Sequence, residues 1–113
     1  MPSRPVPTEV PPDVAPHLPG LYAALLEQRR FRTDQLAGLD AETPTDDAHA
    51  EVLVTLRRGA RVALADIDAA LARLRHGRYG RCVRCDVAIP LERLEILPAV
   101  ALCMACQRPE SGA

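Results

Sequence analysis

The 113-residue chain has no Trp, one Phe and two Tyr, so large aromatic side chains cannot dominate its core. Its apolar residues are mostly Ala, Leu and Val, which suit closely packed helices better than a sandwich of strands. Lysine is absent, and all fourteen basic residues are Arg. The net charge of −1 argues against a generic nucleic-acid binder, because such proteins carry a basic surplus that displaces counterions from phosphate. No apolar run is long enough to span a membrane, and no stretch has the form of a secretion signal, so the cytoplasm is the expected compartment. His17, His49 and His76 stand in no ligand-like pair and read as surface residues. No nucleophile–base pair and no open metal site is visible, so the chain does not read as an enzyme.

What is present divides the chain. Residues 1–19 hold seven of the eleven prolines. Proline lacks an N–H and blocks helix interiors, which predicts an extended, weakly ordered tail. Residues 20–76 read as a coiled-coil helical hairpin with its tip at about 40–47. The first helix, from about Gly20 to Leu39, places Leu18, Tyr22, Leu25, Leu36 and Leu39 on one stripe that Arg29 and Arg32 interrupt. At Thr43-Pro44-Thr45-Asp46-Asp47 the pattern breaks: Pro44 stops a helix, and Thr45 or Asp46 can cap the next. Leu53, Leu56, Ala60, Ala63, Ile67, Ala70 and Leu74 then alternate steps of three and four, a coiled-coil seam. This second helix, about 46 to 76, would span roughly 45 Å and stop at His76-Gly77. A short turn between two helices predicts antiparallel packing within one chain, with a homodimeric coiled coil as the alternative.

Residues 77–108 contain the chemistry. Cys82 and Cys85 form one C-x-x-C pair, Cys103 and Cys106 a second, with seventeen residues between them. Two such pairs suit a single structural zinc ion: each two-residue knuckle turns both sulfurs toward one point, and four thiolates complete a tetrahedral shell with no position left for water. Disulfides, a redox-active pair and an iron–sulfur cluster are competing uses of the same residues. Between the pairs, Pro90 opens and Pro98 closes a short helical turn, with Ile89, Leu94 and Leu97 as a satellite core. Residues 109–113 are expected to fray.

The run Gly77-Arg78-Tyr79-Gly80-Arg81-Cys82-Val83-Arg84-Cys85, followed by Ile89, Arg93-Leu94, Pro98 and the second cysteine pair, resembles the zinc finger of the DksA/TraR family. One departure is Asp86 where that family usually has Gly, a position that needs a left-handed backbone, which Asp tolerates. The resemblance implies a mainly α fold and a bacterial transcription regulator that binds RNA polymerase, not specific DNA. It implies a hairpin entering the polymerase secondary channel and, in some members, action together with ppGpp. The family's best-known tips carry D-x-x-D-x-A. Here Asp46, Asp47 and Ala48 are the partner-binding candidates, with Asp46 and Ala48 at the motif's later positions and Thr43 at its first. Two alternatives stand beside this reading: a zinc-stabilised interaction module with another target, and a DNA-binding zinc finger using the arginines around Arg73–Arg84.

Overall fold

The structure, a computed structural model, describes residues 9–108; the outer tail, 1–8, and the C-terminal tail, 109–113, lie outside the described residues. A 3-10 turn at Ala15–His17 leads into α1 (Leu18–Ala41), which is followed by α2 (Asp47–Arg75), α3 (Leu91–Ile96) and α4 (Met104–Gln107). No strand forms among the described residues, only an isolated antiparallel bridge between Arg81 and Ala88. The fold is therefore mainly helical. Its dimensions, 66 × 36 × 27 Å, reflect the length of the two main helices.

Local chemistry sets the helix ends. α1 starts with Pro19 in its first turn, where a missing N–H removes no helical hydrogen bond. It ends at Ala41, beyond which Glu42 is extended and Pro44 disfavours a helical residue before it. α2 begins at the Asp46 cap, carries Asp47 in its first turn and Arg73 and Arg75 in its last, all matching the helix dipole. Its end is a Schellman motif: Gly77 takes φ +69°, Arg78 N–H donates to the Arg73 carbonyl at 2.8 Å, and Gly77 N–H to Leu74 at 3.3 Å.

The hairpin packs within one chain, along a seam that differs from the predicted stripes. On α1 the inward line is Leu18, Leu21, Leu25, Gln28, Arg32, Gln35 and Leu39, all buried or half-buried, in steps of three and four. Tyr22, placed on the stripe by its sequence spacing, is 43% exposed. In the polar middle of this line Arg32 donates to Gln35 at 3.0 Å. On α2, Leu53, Ala60, Ile67, Ala70 and Leu71 are buried, and Ala63 and Leu74 are half-buried. Leu56 is 46% exposed, and the half-buried Arg57 occupies the inward slot beside it. The seam turned slightly because Arg57 has carbonyl acceptors waiting at the end of α1.

The main core joins the hairpin base to the finger. Val14, Leu21, Leu25, Ile67, Ala70 and Leu71 cluster with Tyr79, Ile89 and Leu94 of the finger. Each large aliphatic side chain buried there contributes roughly 1.5–3 kcal/mol. Ile89 and Leu94 thus belong to this core, not to a satellite, and Leu97 is 49% exposed.

The described part of the proline-rich segment packs against the finger. Val14 and Ala15 both donate to the Pro11 carbonyl, at 2.9 and 3.0 Å, and Val14 is fully buried. Pro11 lies against Gly80, where an added Cβ would sit 2.9 Å from its Cδ. Arg81 Nε donates to the Glu9 carbonyl at 2.6 Å. Proline blocks a helix here but packs well, and its fixed φ lowers the entropy lost on ordering.

Candidate metal centre and hairpin tip

The finger begins where α2 stops. Gly80, at φ +95°, lets the chain reverse, and its carbonyl accepts from Ile89 N–H at 2.8 Å. Cys82 N–H donates to Val87 and Asp86 N–H to Cys82, closing the first knuckle at 2.8 and 2.9 Å. Asp86 takes φ +66°, the left-handed conformation expected from its position. The second pair sits at a helix start: Cys103 caps α4, and its Sγ accepts from Cys106 N–H at 3.4 Å. A bond from Val83 N–H to Ala101 at 2.9 Å ties the two halves together.

These turns bring the sulfurs of Cys82, Cys85, Cys103 and Cys106 within 4.8 Å of one another. All four cysteines are free, and Cys85 and Cys103 lie 3.7 Å apart, sulfur to sulfur. A tetrahedron of thiolates about 2.3 Å from zinc has sulfurs about 3.8 Å apart, so the spacing fits the ion. The proton balance also calls for a cation. Burial pushes the Cys82 thiol up, but hydrogen bonds from the Cys103, Cys85 and Arg84 backbone and the Cys85 side chain outweigh it and bring the group down to about 6. Cys106 is pushed up to about 12 by its contact with the Cys103 side chain, then by burial. Four sulfurs this close cannot all ionise without a positive ion between them. The chain carries a C4 zinc finger whose cysteines are positioned to bind one metal ion.

Tyr79 fixes the finger to the hairpin. Its ring is fully buried and its hydroxyl donates to the Pro98 carbonyl at 2.7 Å. Burial pushes this phenol up to about 12, against a smaller opposing effect of the Arg73 charge.

At the opposite end of the hairpin, Asp46, Asp47 and Ala48 share one exposed turn with Thr43. Asp46 is the α2 cap, its Oδ1 accepting from His49 N–H at 2.7 Å. His49, expected to be an ordinary surface residue, clasps the loop. Its Nδ1 accepts from Thr45 N–H at 3.0 Å, which leaves the proton on Nε2 to meet Glu42 Oε1, also at 3.0 Å. Arg57 was not anticipated either. Its fork reaches the Leu39 carbonyl at 2.9 and 2.6 Å and the Glu42 carbonyl at 2.9 Å. The α1 C-terminus has no basic residue of its own, so Arg57 supplies the charge from the other helix. No local spacing rule marks such a contact, because its partners lie 15 and 18 residues away.

A long antiparallel hairpin with an exposed acidic turn at one end and a four-cysteine centre at the other defines a class, that of helical hairpins built on a C4 metal centre. Residues 77–112 match the prokaryotic dksA/traR C4-type zinc finger. The fold matches the structure of transcription factor DksA2 from Pseudomonas aeruginosa, with a TM-score of 0.67 and 25% sequence identity, over 85% of this chain and 84% of that chain. A search of curated proteins finds no match. No helix among the described residues is long and apolar enough to cross a membrane.

Proposed function

We propose that this chain is a non-enzymatic regulator of transcription in the bacterial cytoplasm, and that it acts by binding RNA polymerase and passing its hairpin, tip first, into the secondary channel. The observation that carries this reading is the hairpin itself: a narrow α1–α2 rod that ends in an exposed turn with Asp46 and Asp47, on a base held by Tyr79 and the zinc finger. Likeness to a transcription factor over 85% of the chain supports it. A carboxylate delivered into a confined, partly desolvated channel interacts with cations more strongly than it would in bulk water.

Direct reading of DNA is a poorer fit. Arg81 is engaged with Glu9, half-buried Arg73 reaches toward the Val100 carbonyl, and the net charge is −1.

The test uses purified bacterial RNA polymerase and the Asp46→Asn variant, which keeps a capping oxygen and removes the charge. The variant should bind polymerase like the parent and lose its effect on transcription in vitro. Regulation equal to the parent would reduce Asp46 to a helix cap. Failure of the parent to bind polymerase would leave the zinc-stabilised interaction module with another target as the better reading.

A further inference from the structure

One face of the hairpin carries arginine that the fold does not use. Along α2, Leu71, Asp68, Arg61, Arg58 and Val54 are separated by three, seven, three and four residues, and so lie on one side of the helix. Along α1, Tyr22, Leu26 and Arg29 follow by four and three, and Asp40 comes three turns after Arg29. Two ion pairs join these sides into one face: Arg29 to Asp68 at 2.7 Å and Arg61 to Asp40 at 3.1 Å. Two clefts open on it. One, of about 390 Å³, lies near the finger between Tyr22, Leu26, Leu71 and Arg75. The other, of about 570 Å³, lies toward the tip between Val54, Arg58, Arg61 and Val62.

The charge on this face is lopsided. The two clefts are lined by five arginines, Arg29, Arg57, Arg58, Arg61 and Arg75, and by two aspartates, Asp40 and Asp68. Both aspartates are already paired within the hairpin. Arg58 and Arg75 have no hydrogen bond or ion pair among the described residues, one in each cleft. Apolar side chains stand open beside them: Tyr22, Leu26, Val54 and Val62 are between 42% and 55% exposed.

We propose that this face docks an acidic amphipathic helix of a protein partner, whose aliphatic residues enter the two clefts while its carboxylates meet Arg58 and Arg75. Leu71 and Val54 are seventeen residues apart, so the partner segment needs about 25 Å of helix, close to five turns. Nucleic acid suits the face less well, because a phosphate chain along it would pass both aspartates and four apolar side chains. The inference does not require RNA polymerase to be the protein that supplies the helix.

The experiment titrates ¹⁵N-labelled full-length protein with a synthetic helix of about five turns, with Leu along one stripe and Glu flanking it. A peptide of the same composition without that periodicity and a DNA duplex are the other two arms. The periodic peptide should shift the amides of Leu26, Arg58, Val62 and Leu71 and leave Phe31 and Val52 unmoved. Arg58→Glu, at a side chain with no partner to lose, should weaken binding about tenfold or more by placing like charges together. Shifts spread over other faces, equal affinity for the aperiodic peptide, an unchanged Arg58→Glu variant, or tighter binding of the duplex to this face would each overturn the proposal. Polymerase binding is read separately: protein that takes up the peptide on this face but not polymerase supports this surface and removes the function proposed above.

Discussion

Arg57 of α2 holds the Leu39 carbonyl of α1 with two nitrogens, Nε at 2.9 Å and Nη2 at 2.6 Å, and reaches the Glu42 carbonyl with the same Nη2. The contact caps the end of α1 from outside the helix and fixes the chain that leads to Asp46. Replacing Arg57 by Met removes charge and donors together and should cost about 1.5–3 kcal/mol, since hydrogen bonds to charged groups are the stronger kind. Arg57→Lys keeps the charge but not the fork and should recover only part of this. Chemical denaturation measures the loss, and faster amide exchange at Glu42 and His49 would place it at the tip.

Zinc should be present at close to one ion per chain by elemental analysis. Cys103→Ser or chelation removes metal-coupled folding energy on the order of 10 kcal/mol and should unfold the finger. The effect should extend into the hairpin base, because Tyr79, Ile89 and Leu94 share a core with Leu21 and Leu25. Amide exchange at Leu25 would then rise, while exchange at Leu53 should change least. Metal-free protein with a native spectrum would contradict the coupling.

Alkaline pH should loosen the finger through Tyr79. Burial raises this phenol from its ordinary 10.0 to about 12, so the folded state favours the neutral form. That contribution is complete below the unfolded value and is lost as pH rises from about 10 toward about 12. Tyr79→Phe leaves the Pro98 carbonyl without its donor and should cost about 1–3 kcal/mol at neutral pH. The gap between parent and variant should narrow above about pH 10; a gap constant with pH would show that the phenol does not titrate with unfolding.

Gly80→Ala tests the seating of the N-terminal segment. The new Cβ would stand 2.9 Å from Pro11 Cδ, at a φ of +95° that side chains rarely adopt. The substitution should cost more than about 1 kcal/mol and free residues 9–14 from the finger. Limited proteolysis near Glu9 should accelerate. Gly77→Ala, with open space around its Cβ but φ +69°, should show the backbone cost without that release.

The sequence determined whatever depends on near neighbours along the chain. Two C-x-x-C knuckles specify a metal shell because each pair of sulfurs is set by its own turn, and the same locality gave the Gly77 stop and narrowed the α2 cap to Thr45 or Asp46, of which the structure uses Asp46. The heptad steps on α2 announced a partner helix but left its angle open by part of a turn. Tertiary structure decided that angle: it turned Leu56 and Tyr22 outward and brought Arg57 inward, because the carbonyls ending α1 attract a cation from α2. It also placed Val14 and Pro11 against the finger, a contact spanning more than sixty residues that proline content alone cannot indicate. Joining segments so far apart in the chain depends on the shape of the surface that receives them, and that surface exists only once Tyr79, Ile89 and Leu94 have packed onto the hairpin.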